Sequence, residues 1–262
     1  MIQKLFAERA VEVLKKDPSV IGLTVGGSWL SGELDEFADL DLILVTKTKI
    51  TEEKELMMRY AEGLGNLLSG FTGDHVGEPR LLVCLYDNPL LHVDIKFLTL
   101  KEFEIRVEEP VILLDTNDQL KLVIKNTKAV FPYPNYQWME DRFWIWIHYT
   151  LGKIARGELF EAIDAIGFIR ANVIAQLLHI KNNELPRAMR KVEFKFQTDQ
   201  LNGLTATIPV YDQQSLLLSL HQLVDVYKQL RKDLFDDKVQ IQSKTEIAVM
   251  KYMSEINSLI AP

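Results

Sequence analysis

The pattern of apolar and polar positions changes its period near residue 131. Before that point, short apolar runs typical of β-strands alternate with segments of helical spacing. The spacing predicts helices over 2–16 and from 51 to the glycines around Gly70, and helical material after 98 to about 125. A strand is predicted over 21–25, followed by a turn and a second strand that ends near residue 45. A hairpin is predicted over 80–87 and 90–98.

Beyond the Phe131-Pro-Tyr-Pro-Asn135 break, the long segments have helical periodicity. They are 138–156, 158–181, 213–236 and 243–259, whereas 194–212 is irregular. We therefore predict an α+β fold. Residues 1–130 would form a domain with a small mixed β-sheet flanked by helices, and residues 131–262 an all-α helical bundle.

Composition narrows the functional class. The chain has 262 residues and a formal net charge of −7, which argues against a general nucleic-acid binder because phosphate contacts need a broad basic surface. No apolar leader precedes the charged N-terminus, and no run approaches the roughly 18 apolar residues of a membrane span. The single cysteine, Cys84, lies in an apolar run and is interpreted as a core residue. A cytoplasmic protein with no membrane partner is expected.

Candidate chemistry is concentrated between residues 21 and 42. Gly27-Ser28 follows the first apolar strand, and free backbone N–H groups at such a turn form a small anion site. Asp39 and Asp41 are two residues apart, so that they would point from one face of the next strand. Asp94, in a later apolar strand, would complete a three-carboxylate cluster. Oxygen ligands of this kind favour Mg²⁺ bridged to substrate phosphates.

The pattern Gly27-Ser28-x₃-Gly32-x₆-Asp39-Leu40-Asp41-Leu42, with Asp94 downstream, resembles the signature of the polymerase-β-like nucleotidyltransferase superfamily. The layout of two domains, the second helical, looks like the aminoglycoside and lincosamide adenylyltransferases within it. Ser31 stands where a basic residue is frequent, and Ala38 where a serine is frequent. Neither departure removes a metal ligand.

This resemblance implies a nucleotidyltransferase catalytic domain over 1–130 and a helical substrate- and nucleotide-binding domain over 131–262. Asp39 and Asp41 would hold Mg²⁺ on a nucleoside triphosphate, expected to be ATP, and Gly27 and Ser28 would contact its phosphates. A hydroxyl of the acceptor would attack the α-phosphorus and release pyrophosphate. Asp94 would be either the third metal ligand or the general base, and the sequence leaves both roles open.

One helix of the second half has a cationic face. At 100° per residue, three cations and two aromatics fall within an arc of about 60°: Trp138, Arg142, Tyr149, Lys153 and Arg156. Such a face could bind a triphosphate through Lys153, Arg142 and Arg156, or it could be an ordinary solvated helix face.

The leading hypothesis is transfer of AMP from ATP to a hydroxyl of a small molecule such as an aminoglycoside or lincosamide antibiotic. Two alternatives remain: nucleotidylation of a protein, as in toxin–antitoxin pairs, and a non-catalytic nucleotide-binding module with the same fold. The three aspartates speak against the last one. The sequence leaves the acceptor, the nucleotide base and the choice between monomer and homodimer undecided.

Overall fold

A computed structural model describes residues 1–260 of the chain. The chain divides into two compact units, Met1–Pro132 and Tyr133–Pro262. The division lies two residues after the end of the first domain as predicted from the sequence, within the same proline-containing segment.

The first unit is built on a six-stranded mixed sheet with the strand order β3-β4-β5-β2-β1-β6. Strands β2 and β5 at its centre are parallel, and the other neighbours are antiparallel. The strands are β1 (Val20–Val25), β2 (Leu40–Thr46), β3 (Asn66–Gly73), β4 (Glu78–Asp87), β5 (Leu91–Thr99) and β6 (Val111–Asp115).

Helices cover both faces of this sheet. One face packs into a large apolar cluster that contains Leu42 and Leu44, and the other into a smaller cluster around Val45 and Phe103. Alternation along β2 produces this division, because successive side chains of a strand point to opposite faces. The helices are α1 (Ile2–Leu14), α2 (Lys54–Leu64), α3 (Leu100–Phe103) and α4 (Gln119–Asn126).

Two strands were not predicted. The helix expected to reach Gly70 ends at Leu64, and Asn66–Gly73 form the edge strand β3, which pairs with β4. Within the stretch expected to be helical, Val111–Asp115 form β6 on the other edge, paired with β1. Short apolar runs fit a helix face and a strand equally well. Pairing with a distant strand decides between them.

The second unit is all helical, as predicted. Its core contains Phe143, Trp144, Ile147, Leu151 and Ile154 on one side of the first long helix, each no more than 1% exposed. The helices are α5 (Tyr136–Ala155), α6 (Leu159–Ile169), a π-helical segment (Arg170–Ile174), α7 (Ala175–Lys181), α8 (Val192–Lys195), α9 (Thr198–Thr205), α10 (Gln213–Leu234) and α11 (Ser243–Ile260). The interval 194–212, predicted to be irregular, therefore contains a short helix.

One helical segment of the described residues, Leu159–Lys181, is long and apolar enough to cross a membrane by length and composition alone. The sequence analysis predicted this helix as 158–181 but did not single it out as a membrane span. Its inward side chains, among them Ile166, Val173 and Leu177, are fully buried in the bundle core. A core helix of a folded domain satisfies the same criterion, so this segment gives only weak support to a membrane span.

Candidate active site

The glycine turn after β1 packs directly against Asp41. The backbone N–H of Gly26 donates to the carbonyl oxygen of Asp41 at 2.9 Å, which joins the turn to β2. Gly27 has a φ of +60°, and a Cβ at this position would overlap the Asp41 carboxylate. Two features therefore require glycine at this position: the backbone conformation and the close approach of the Asp41 carboxylate. The predicted anion turn and the predicted metal ligand are in contact.

Two buried hydroxyls in this region have no hydrogen-bond partner. Ser28 is 8% exposed and Thr24, on β1, is fully buried, and neither Oγ atom makes a hydrogen bond. Buried polar groups are nearly always paired, so an orphaned donor next to a glycine turn fits a ligand oxygen. The Ser28 hydroxyl thus matches the phosphate contact that the motif predicts.

Asp41 and Asp94 lie opposite each other across the parallel strands β2 and β5. Paired residues on neighbouring strands share one face of the sheet, so both carboxylates stand on the side of the smaller apolar cluster. Both are partly buried. Asp94 Oδ1 also lies 3.0 Å from His92 Nε2 on the same strand. The arrangement places two carboxylates at adjacent positions of the sheet.

Asp39 lies immediately before β2, whose first residue is Leu40. Within residues 1–260, no three histidine, cysteine, aspartate or glutamate side chains are grouped closely enough to hold a metal ion. The structure therefore does not assemble Asp39, Asp41 and Asp94 into a three-carboxylate cluster, and metal binding by them stays a prediction. The donor chemistry fits Mg²⁺, which is usually held by one or two carboxylates and completed by waters and substrate phosphates.

An ionic cluster occupies the same sheet face farther along β5. Glu78 accepts from Arg80 Nε at 2.7 Å and pairs with Lys96 Nζ at 2.7 Å. The hydrogen bond from Arg80, together with Lys96, lowers the pKa of Glu78 to about 2. A carboxylate held ionised in this way is a poor proton acceptor near neutral pH. Glu78 is consequently a structural partner of two cations.

Glu108 is a residue of this region that the sequence pattern did not indicate. Its Oε1 accepts a hydrogen bond from the backbone N–H of Gly27 at 2.7 Å. A Cβ at Gly26 would lie 2.6 Å from the same oxygen. Glu108 comes shortly before β6, and the pairing of β6 with β1 brings it to the turn. Because β6 was not predicted, no sequence signal connected the two.

Solved structures include proteins similar to this chain. The chain is similar to an aminoglycoside 6-adenyltransferase from Bacillus subtilis. Sequence identity is 15%, the TM-score is 0.41, and the match covers 97% of this chain and 98% of that chain. No protein-family model and no curated protein sequence matches the chain.

The predicted cationic face on α5 is compensated by acids of the next helix. Lys153 Nζ lies 2.7 Å from both Glu158 and Glu161, and the hydrogen bonds that it donates to these carboxylates raise the pKa of Lys153. Tyr149 donates to Glu161 as well. Phosphate binding by Lys153 stays a prediction, and it would require a change in these ion pairs.

The other two predicted cations also have partners within the bundle. Arg142 donates to the carbonyl oxygen of Trp138 at 3.1 Å, and its guanidinium lies 4.5 Å from the centroid of the Trp138 ring. Arg156, just after α5, pairs with Glu158 at 2.8 Å. These contacts do not test phosphate binding by Arg142 or Arg156, which stays a prediction.

One buried carboxylate and one buried thiol of the chain have structural roles. Glu140 is fully buried and accepts from the Tyr227 hydroxyl at 2.5 Å and from the backbone N–H of Gln242 at 2.9 Å. Cys84 is 1% exposed, and burial raises the pKa of its thiol to about 12. The interpretation of Cys84 as a core residue is confirmed.

Proposed function

We propose that this chain is a Mg²⁺-dependent nucleotidyltransferase. It transfers AMP from ATP to a hydroxyl of a small molecule such as an aminoglycoside or lincosamide, and pyrophosphate leaves. The observation that carries the proposal is the packing of the Gly27 turn on the Asp41 carboxylate, with Asp94 opposite Asp41 in the sheet. An anion site and a pair of metal-binding oxygens are thereby adjacent.

The turn residues bind and orient the triphosphate. The Ser28 hydroxyl donates to a phosphate oxygen, which satisfies an otherwise orphaned buried group. The Gly27 N–H, which donates to Glu108 in this structure, would be a second donor to the same anion once that hydrogen bond is broken. In phosphoryl transfer the protein contributes chiefly position and charge neutralisation, so holding the phosphates in line with the acceptor is the main task of these residues.

Asp41 and Asp94 would hold the metal ion, and Asp39 would approach from the residue before β2. When bound, Mg²⁺ neutralises charge on the phosphates and aligns them with the attacking oxygen. The pairing of Asp94 with Asp41 supports a role for Asp94 as a ligand. His92, hydrogen-bonded to Asp94, would fix the orientation of that carboxylate.

The net charge and the two-domain layout of the chain favour one class of acceptor. The chain carries a net charge of −7, which attracts cationic acceptors by long-range steering. An aminoglycoside is such an acceptor, and the two-domain layout of the chain looks like that of the aminoglycoside and lincosamide adenylyltransferases. Steering alone does not select one compound, so the acceptor has to be found by assay.

The proposal is tested by a screen for pyrophosphate release. Purified protein is incubated with Mg²⁺, each of the four common nucleoside triphosphates and a panel of aminoglycosides and lincosamides. We expect ATP and one acceptor class to support turnover, and Asp41→Asn to reduce it about a hundredfold to a thousandfold. The matched control is Asp35→Asn, which removes the same charge from an exposed loop residue.

Two results would contradict the proposal. Equal turnover by the wild type and Asp41→Asn would exclude the metal-binding role of Asp41. Labelling of a protein band from radiolabelled ATP in lysate, without turnover of any small molecule, would favour protein nucleotidylation instead.

A further inference from the structure

The segment that carries Glu108 is anchored in the first unit. Arg106 is only 7% exposed; its Nη2 lies 2.7 Å from the Glu109 carboxylate and donates to the carbonyl oxygen of Thr127 at 3.0 Å. Glu109 in turn accepts from the backbone N–H of Ala129 at 2.9 Å. These contacts hold the backbone on both sides of Glu108. Beyond Glu109, β6 is fixed by pairing with β1. The backbone position of Glu108 is therefore determined by the fold.

From this position the Glu108 carboxylate reaches the glycine turn. Glu108 Oε1 accepts a hydrogen bond from the Gly27 N–H at 2.7 Å and lies 2.6 Å from where a Cβ of Gly26 would be. Hydrogen bonds from backbone N–H to a carboxylate are charge-assisted and stronger than those to neutral acceptors. The Glu108 carboxylate is thus an anion of the chain itself that is already hydrogen-bonded to the turn.

We propose, on the basis of the nucleotidyltransferase function above, that Glu108 is an internal competitor for the phosphate site at Gly27. The Gly27 N–H is a single hydrogen-bond donor. A phosphate oxygen that accepted from it would lie within a few ångströms of the Glu108 carboxylate. Two anions at that separation repel each other. Nucleotide binding therefore requires the Glu108 side chain to rotate away from Gly27.

The competition gives Glu108 a defined role in each state. Without nucleotide, it satisfies a donor of the turn that would otherwise lack a partner. With nucleotide, its displacement lowers the apparent affinity, because part of the binding free energy is used to break an existing hydrogen bond. The chain would thus discriminate against weakly bound anions, which contribute too little to displace the carboxylate.

The test is the affinity for Mg²⁺–ATP, measured by calorimetry at one ionic strength for four proteins. They are the wild type, Glu108→Ala, Glu108→Gln and Glu104→Ala. Glu104 is exposed, so its substitution controls for the change in net charge. Glu108→Gln keeps the size of the side chain and an oxygen acceptor, so it stays informative if Glu108→Ala folds poorly.

We expect Glu108→Ala to tighten Mg²⁺–ATP binding roughly tenfold, Glu108→Gln to tighten it less, and Glu104→Ala to match the wild type. Unchanged or weaker binding by both Glu108 variants, with a wild type that binds Mg²⁺–ATP, would overturn the competition and leave the proposed function intact. Absence of Mg²⁺–ATP binding by all four proteins would overturn the proposed function and the competition with it.

Discussion

Asp41 and Asp94 are paired residues on parallel strands, and the carboxylate of Asp41 also lies against Gly27. One carboxylate thus touches the glycine turn while its partner stands beside it on the next strand. A triphosphate at the turn would present its oxygens to both. This arrangement makes the Asp41–Asp94 pair the centre of the candidate site and leads to the first prediction.

Asp94→Asn and Asp41→Asn should each weaken Mg²⁺-dependent ATP binding about tenfold, because each variant would remove one ligand charge. Calorimetry with and without Mg²⁺ measures the effect, and Asp35→Asn is the control. If Asp94→Asn bound Mg²⁺–ATP normally but turned over slowly, Asp94 would instead be the general base.

Gly27→Ala and Gly32→Ala form a matched pair. Gly27 and Gly32 have φ values of +60° and +69°, but a Cβ at Gly32 meets nothing within 4 Å. Both variants should lose about 1 kcal/mol of unfolding free energy from backbone strain, measured by urea denaturation. Only Gly27→Ala should also lose Mg²⁺–ATP binding, because its methyl group displaces Asp41. Equal ATP affinity of the two variants would contradict a role for the Gly27–Asp41 contact in nucleotide binding.

Glu140→Ala should destabilise the second unit by roughly 3–5 kcal/mol, because Arg231, Tyr227 and the N–H of Gln242 would lose a buried acceptor. Urea unfolding followed by fluorescence measures the change. Glu255→Ala, which removes an exposed partner of Lys251, should cost less than about 1 kcal/mol. Comparable losses in both variants would contradict the structural role of Glu140.

Glu78 should contribute to stability at neutral pH and lose that contribution in acid. Its folded-state pKa of about 2 lies below the ordinary value of 4.5. The folded chain therefore binds fewer protons than the unfolded chain between these values, and stability falls as pH drops from about 4.5 towards 2. Glu78→Gln should lower the unfolding free energy at pH 7 by about 1–2 kcal/mol, reduced by partial solvent screening. The difference from wild type should shrink below pH 4.5; a constant difference would refute the linkage.

Lys153 and Glu161 give a test of the cationic face. If Lys153 binds phosphate after leaving its ion pairs, Lys153→Gln should weaken Mg²⁺–ATP binding, and Glu161→Gln should strengthen it, each about threefold or more. Lys251→Gln, on an exposed helix position, controls for the loss of one positive charge. If neither Lys153→Gln nor Glu161→Gln changed the affinity, the two residues would have only a structural role.

Much of the fold could be predicted because its signals are local. The helices α1, α5, α10 and α11 follow directly from the spacing of apolar residues, and the β4–β5 hairpin from apolar runs around a proline turn. Strands β3 and β6 were missed since edge strands are defined by a partner elsewhere in the chain. Their short apolar runs carry no periodicity of their own.

For the candidate site, the sequence determined the residue types and their order: a glycine turn, Asp39 and Asp41 at a spacing of two, and Asp94 in a later strand. Strand alternation also determined that Asp41 shares a face with its neighbours two residues away. Only the tertiary structure decided that Asp94 pairs with Asp41, that Asp41 packs on Gly27, and that Glu108 reaches the same turn. These contacts join residues far apart in the chain. Strand order and register produce them, and neither property is encoded in any local pattern.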